Sequence, residues 1–122
     1  MTPEEISKLT DQELNELIAV KRGWIYNPYE KFGSLYEPSV LWHNPKTNES
    51  FYSAAPDFSG LWRWAGELLV EVLMDNTGNS FEYQPNLFPD RPWAIMGIGG
   101  NGSASPTRAI AESWAMWSEQ CG

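Results

Sequence analysis

The stretch "WAIMGIGGNGSASPTRAIAESW", residues 93–114, decides the fold class of this 122-residue chain. An apolar run leads into Gly97, Gly99 and Gly102 at the G-x-G-x-x-G spacing, and a helix is predicted to begin near Pro106. In dinucleotide-binding folds this pattern opens a β-α-β unit, and an acidic residue about 20 positions later holds the ribose. Only 20 residues follow Gly102. One helix uses them all, so the Rossmann fold is excluded by length.

The rest of the chain predicts helices alternating with short strands. Thr2 and Thr10 each begin a capping box, which predicts a short turn at 2–8 and a helix at 11–21. Apolar residues at helical spacing follow Asp57 as far as Met74 and predict a helix capped by Asp57. Strands are predicted at 40–43, 50–52, 81–84 and 93–98, and a last helix starts at Pro106 after the cap Ser105.

This order of elements predicts an α+β fold in a single domain, residues 1–122. A small, mainly antiparallel sheet with helices packed on it, as in a layered sandwich, is the arrangement that suits it.

Composition excludes several classes of partner. Sixteen acidic and eight basic residues give a net charge of −8, which argues against a DNA or RNA duplex or an anionic membrane surface. A small anionic ligand is still compatible if a few cations converge. The single cysteine rules out an intrachain disulfide and a cysteine-built metal site. The sequence shows no membrane span or signal peptide, so a cytosolic protein is expected.

The glycine-rich turn remains a candidate phosphate loop, although it is no cofactor fingerprint. A helix N-terminus presents free backbone N–H groups and a partial positive charge. Arg108 lies in the first turn of the predicted helix, where a cation opposes the helix dipole. An arginine at such an unfavourable position suggests that its guanidinium binds an anion. The alternative is a solvated arginine above a flexible turn.

Aromatic and cationic residues at element edges suggest a nucleotide pocket. Bases stack on aromatic rings at about 1–3 kcal/mol each, and arginine binds phosphate through two parallel hydrogen bonds. The residues of these two kinds are Trp24, Phe81, Trp93, Arg63, Arg91 and Arg108. For each residue taken alone, a core ring or a solvated surface charge is the alternative.

Catalytic patterns are sparse. His43 is the only histidine, so a zinc-binding histidine pair is impossible and a Ser-His-Asp triad would need this residue. Glu67 and Glu71 share a helix face with Arg63, which is typical of a solvated salt-bridge row and compatible with a carboxylate pair. A small hydrolase is therefore an alternative hypothesis.

Three stretches resemble, in order, a known family. They are "TDQELNELIAVKRGW" at 10–24, "FYSAAPDFSGLWRWAGELL" at 51–69 and "ASPTRAIAESWAMW" at 104–117. Together they resemble the small phage-encoded sandwich-fold proteins that include the Thoeris anti-defence sponges.

The resemblance implies a function in immune evasion. It implies a non-enzymatic sponge that, without a cofactor, binds and sequesters a cyclic nucleotide signal in the host cytoplasm. The signals are cyclic ADP-ribose isomers made by TIR enzymes and, in some members, cyclic oligonucleotides at a separate site. It also implies a homo-oligomer. The site residues that it suggests are Trp24, Phe81 and Arg108, with Asn101 and Arg63 as further candidates. A phage accessory protein-interaction domain of the same fold, without a small ligand, is the other hypothesis.

Overall fold

The computed structural model describes residues 1–26, 42–51, 54–75, 78–98 and 102–121. Within these ranges the chain forms four helices and five strands. In chain order they are α1 (Pro3–Ser7), α2 (Asp11–Lys21), β1 (Ile25–Tyr26), β2 (Trp42–Asn44), β3 (Glu49–Phe51), α3 (Trp62–Leu73), β4 (Ser80–Tyr83), β5 (Trp93–Met96) and α4 (Pro106–Cys121). Residues 40, 41 and 52 of the predicted hairpin, like Asn101, lie outside the described residues.

Capping boxes start both N-terminal helices, as the sequence predicts. The Thr10 hydroxyl accepts a hydrogen bond from the Glu13 backbone N–H at 3.1 Å, and the Glu13 carboxylate accepts one from the Thr10 N–H at 2.9 Å. Thr2 and Glu5 make the same reciprocal pair in front of α1. The reciprocal bonds satisfy donors that a helix start leaves open, so both starts are determined locally.

Asp57 does not cap α3, so that prediction is wrong. The N-cap is Leu61, whose side chain makes no capping bond. The Asp57 carboxylate instead accepts hydrogen bonds from the Asn15 amide at 3.1 Å and the Ser59 hydroxyl at 3.4 Å. Residues 58–60 form a turn, so the helix begins only at Trp62. The Asp57 carboxylate, which was expected to cap α3, thus links the segment before α3 to Asn15 of α2.

Two antiparallel sheets accompany the helices, which confirms the α+β class. The first has the order β1-β2-β3, with Trp42 opposite Phe51 and His43 opposite Ser50. The second pairs β4 with β5. Ser103 extends the second sheet by an isolated bridge to Trp93, with N···O distances of 2.9 and 3.1 Å.

The core lies where α3 and α4 pack together and against their neighbours. Besides α3, α4 contacts α1, α2 and β5. Side chains from α2, α3 and α4 are wholly buried there: Leu14, Ile18, Leu68, Val72 and Ile110. The ring of Trp64 contacts the rings of Trp24, Phe51 and Phe58 at centroid distances of 6.1, 5.5 and 5.6 Å.

Two glycines near the start of α3 predict opposite effects of the same substitution. An added Cβ at Gly60 would lie 2.9 Å from Cγ of Asp57, whose carboxylate is held by Asn15 and Ser59. An added Cβ at Gly66 would meet nothing within 4 Å. We expect Gly60→Ala to lower the free energy of unfolding by about 1–3 kcal/mol through overpacking. Gly66→Ala should raise it by up to about 1 kcal/mol, because alanine favours the helix.

Urea unfolding of the two variants in dilute solution measures this difference directly. Both variants add one methyl group, but only position 66 has space for it. Equal effects of both substitutions would contradict the placement of Asp57.

Candidate functional site

Arg108 binds groups of its own chain. Its Nε donates to Glu112 Oε2 and its Nη1 to Asp11 Oδ1, both at 2.7 Å. Nη2 donates to the backbone oxygens of Leu9 at 2.7 Å and Ile6 at 3.3 Å. The side chain is only 12% exposed. The cation in the first turn of α4 therefore does bind anions, but they belong to the same chain: Glu112 one turn later on α4, and Asp11 at the α1–α2 junction.

Burial and hydrogen bonding oppose each other in setting the pKa values of Arg108 and Glu112: burial prevails at Glu112, and hydrogen bonding prevails at Arg108. Burial raises the pKa of Glu112 above its ordinary value, and the hydrogen bond from Arg108 offsets only part of that rise. Burial alone would lower the pKa of Arg108, whereas the bonds to Glu112 and Asp11 raise it. The Arg108 N–H is also occupied, since it donates to the capping hydroxyl of Ser105 at 3.3 Å. A phosphate-binding role for Arg108 stays a prediction, and four of the roughly five N–H donors of its guanidinium already bind groups of the same chain.

Phe81 belongs to an aromatic row on the second sheet. Its ring stacks on Trp93 with a centroid distance of 5.3 Å and an interplanar angle of 21°. Tyr83 contacts the same indole at 4.5 Å and is 55% exposed. Directly opposite and diagonal partners across a strand pair make such contacts. Phe81 is half-buried in this row and does not line the cleft in which Trp24 lies.

Trp24 lies at a cleft between the end of α2, the β2–β3 turn and α3, called here the α2–α3 cleft. Its volume is about 400 Å³, within the range of small-ligand sites. Three tryptophans form its apolar part: Trp24, Trp64 and Trp114. Each is at most 5% exposed, so their edges, and not their faces, are open to the cleft.

Charged residues surround the indole edges. The cations are Lys21, Arg22 and Lys46, and the carboxylates are Glu49, Glu67 and Glu71. Three of the eight basic residues of the chain thus converge at one place. The sequence indicates Lys21 and Arg22 only as cations of a helix end and gives Lys46 no role, because no local pattern shows that the β2–β3 turn and the end of α2 line one cleft.

The three cations are not equally available. Arg22 pairs with Glu71 and with Glu67 Oε2 at 3.5 Å, and its guanidinium lies 5.7 Å from the ring centre of Trp114. Lys21 lies 3.5 Å from Glu119. Among the described residues, the ammonium group of Lys46 forms no ion pair. Lys46 is therefore the cation of the cleft that can bind an anion without breaking an internal contact.

Arg63 lies beside the cleft and is not one of its lining residues. Its Nη2 donates to Glu49 Oε2 at 3.0 Å, and its guanidinium lies 4.6 Å from the ring centre of Trp64. The side chain is 68% exposed. The structure thus brings two of the five predicted site residues, Trp24 and Arg63, to one region.

His43 and Ser50 make a direct contact on the first sheet. The two are cross-strand partners, and His43 Nδ1 lies 3.0 Å from Ser50 Oγ. Side chains alternate between the faces of a strand, so this pair points away from the face that carries Asn44 and Glu49 of the cleft. The contact is therefore separate from the α2–α3 cleft.

No protein-family model, curated protein or solved structure matches the chain. Within the described ranges, no three His, Cys, Asp or Glu side chains are grouped as a metal site. No helix in the same part of the chain has both the length and the apolar character needed to cross a bilayer.

The internal role of Arg108 predicts a pH-dependent loss of stability in Arg108→Gln. The substitution leaves the Glu112 carboxylate buried without its cation, which costs about 3–5 kcal/mol at neutral pH. A carboxyl group whose folded pKa is raised destabilises the fold above that pKa, and this penalty fades as the pH falls through it. The stability difference between wild type and Arg108→Gln should therefore narrow on acidification from neutral pH.

Urea unfolding at neutral pH and in mildly acidic buffer tests this expectation. Arg91→Gln is the matched control, because Arg91 is exposed and makes no ion pair within the described residues. Its effect should stay within about 0.5 kcal/mol. A loss in Arg108→Gln that does not change with pH would contradict the coupling to Glu112.

Proposed function

We propose that this protein binds a small cyclic nucleotide signal in the α2–α3 cleft and holds it without cleaving it. The proposal rests on the ammonium group of Lys46, which forms no ion pair within the described ranges and lines the same cleft as Arg22 and three tryptophans. The resemblance to phage sponge proteins supplies the ligand class, a cyclic ADP-ribose isomer. The cleft supplies polar and apolar groups that suit such a molecule.

Each part of a nucleotide has a matching group in the cleft. A phosphate would bind the ammonium group of Lys46, and the guanidinium of Arg22 in the same cleft adds positive charge. Glu67, whose side chain is 55% exposed, can accept hydrogen bonds from ribose hydroxyls. The base would lie against indole edges, which provide apolar contact without the face-to-face stacking that the sequence suggested.

The global charge of the chain opposes anion binding, and the local arrangement offsets it. A net charge of −8 repels a phosphate at long range. At physiological ionic strength the screening length is about 8 Å, so groups inside the cleft dominate over distant carboxylates. We therefore expect affinity to depend on Lys46 more than on the summed charge.

Ligand capture tests the proposed function. The purified protein is incubated with extract from cells that express an activated TIR enzyme and, separately, with a panel of cyclic nucleotides. Unbound material is removed, the protein is heat-denatured, and the released molecule is identified by mass spectrometry. Release of an intact cyclic ADP-ribose isomer in near-stoichiometric amount is the expected result. An empty protein in both incubations would overturn the proposal.

Lys46→Glu should weaken binding of the captured nucleotide at least tenfold, about 1.4 kcal/mol, by isothermal titration. The physical reason is the replacement of an attractive charge by a repulsive one at the cleft rim. Lys8→Glu, on the exposed end of α1, makes the same change in net charge away from the cleft and should leave the affinity unchanged. Equal losses in the two variants would show that global charge, and not the cleft, sets the affinity.

A hydrolytic function is the second candidate, and the His43–Ser50 contact is the observation that favours it. A histidine within hydrogen-bond distance of a serine hydroxyl is the core of nucleophilic catalysis. A hydrolytic function predicts that the wild type releases a cleaved product in the capture experiment. The Ser50→Ala variant should release the intact ligand instead. Release of intact ligand from the wild type as well as from Ser50→Ala would contradict this candidate.

A further inference from the structure

The turn between β2 and β3 brings two opposite charges to the α2–α3 cleft. Lys46 lies in the turn and Glu49 is the first residue of β3, and both line the cleft. Asn44 closes the turn, because its backbone oxygen accepts from the Asn48 N–H at 2.7 Å and its side-chain oxygen from the Lys46 N–H at 3.0 Å. Glu49 is also the carboxylate nearest to Lys46 in the sequence. An ion pair between these two side chains is therefore the local expectation.

The carboxylate of Glu49 is instead held by two other groups. Its Oε1 accepts a hydrogen bond from the Thr47 hydroxyl at 3.1 Å, and its Oε2 accepts one from Arg63 Nη2 at 3.0 Å. Both oxygens are thus bound, and a cation of α3 balances the charge. Lys46 forms no ion pair within the described ranges. The contact between Arg63 and Glu49 accounts for the free ammonium group of Lys46.

Arg63 pairs with Glu49 across the cleft wall and not with the nearest carboxylate of its own helix. It lies in the first turn of α3, which holds no acidic residue and where the helix dipole disfavours a cation. Glu67, four positions later, is the usual partner on a helix. The structure pairs Glu67 with Arg22 at 3.5 Å and leaves Arg63 to Glu49. The guanidinium also lies 4.6 Å from the ring centre of Trp64, which helps to orient it.

We infer that Arg63 is a positioning residue of the α2–α3 cleft: it holds Glu49 so that the ammonium group of Lys46 stays free to bind an anion. The inference rests on the proposed function for the identity of that anion, a phosphate of the captured nucleotide. Arg63 acts through Glu49 and does not itself line the cleft. Without it, the Glu49 carboxylate would pair with the ammonium group of Lys46 and repel a phosphate.

The expected effect is modest because the pair is partly exposed. The side chain of Arg63 is 68% exposed and that of Glu49 is 35% exposed. Exposed ion pairs couple weakly, so release of Glu49 in Arg63→Gln should weaken nucleotide binding by about two- to fivefold. This loss is smaller than the one expected when the charge of Lys46 itself is reversed.

Acetylation of Lys46 in the ligand-free protein tests the positioning directly. An N-hydroxysuccinimide ester of acetate reacts with the unprotonated amine, and a carboxylate partner stabilises the protonated form. Peptide mass spectrometry after brief treatment gives the rate at Lys46 relative to Lys8, which is equally an exposed lysine. Arg63→Gln should lower this ratio by at least about twofold. Arg63→Lys keeps the charge and should stay near the wild-type ratio.

A double variant that combines Arg63→Gln with Glu49→Gln isolates the route through Glu49. Without the Glu49 charge nothing is released toward Lys46, so the double variant should match Glu49→Gln alone. Arg91→Gln is the matched control for net charge, because Arg91 is exposed and forms no ion pair in the described part of the chain. It should leave the Lys46 ratio unchanged. Circular dichroism checks that each variant is folded.

Isothermal titration with the isomer released in the capture experiment measures the consequence for binding. Arg63→Gln should weaken binding about two- to fivefold when Glu49 is present and leave it unchanged in the Glu49→Gln background. Equal losses in both backgrounds would show that Arg63 contacts the ligand itself and would overturn the inference, as would an unchanged Lys46 ratio in Arg63→Gln. If the capture experiment releases no ligand, the proposed function fails, whereas the acetylation rates still support or overturn the hold of Arg63 on Glu49.

Discussion

The packing around Trp64 is the contact on which the rest of the structure depends. Its indole meets Trp24 from the end of α2, Phe51 from β3 and Phe58 from the turn before α3, all within 6.1 Å between ring centres. Such pairs contribute about 0.5–1.5 kcal/mol each beyond the area that they bury. Because these rings come from separate elements, their packing determines how α2, the first sheet and α3 meet. The α2–α3 cleft is the space left above this cluster, and its position follows from it.

The acidic chain uses most of the cations discussed here inside its own fold. Arg22, Arg63 and Arg108 each pair with carboxylates of other elements, and Lys21 lies near Glu119. Arg108 is the most buried of them and ties the start of α4 to the α1–α2 junction. Removing one partner of a partly buried pair costs more than breaking a surface pair, which contributes about 0–1 kcal/mol, because the remaining charge is left buried without a counter-charge. A ligand that needs a cation is therefore directed to Lys46, the one lysine or arginine at the cleft without such a pair among the described residues.

Helix α3 contributes both to the core and to the cleft. Its buried side carries Trp64, Ala65, Leu68 and Val72, and a neighbouring side carries Glu67 and Glu71 to the cleft. The packing that fixes α3 in the core therefore also fixes the position of these two carboxylates.

The sequence by itself determined the features that local chemistry decides. Two capping boxes and the Ser105–Pro106 start of α4 involve residues within a few positions of one another, and the structure has them where they were predicted. Strands were predicted at 81–84 and 93–98, and they are observed at Ser80–Tyr83 and Trp93–Met96. The α+β class followed from the order of these elements. Only the tertiary structure decided the partners of charged side chains. Asp57 looked like a cap and binds Asn15, Arg108 looked like a ligand cation and binds Glu112, and Lys46 carried no signal yet lies at the cleft. The reason is physical: a cap is satisfied by the next turn of its own helix, whereas an ion pair or a cleft joins residues whose separation along the chain says nothing about their distance in space.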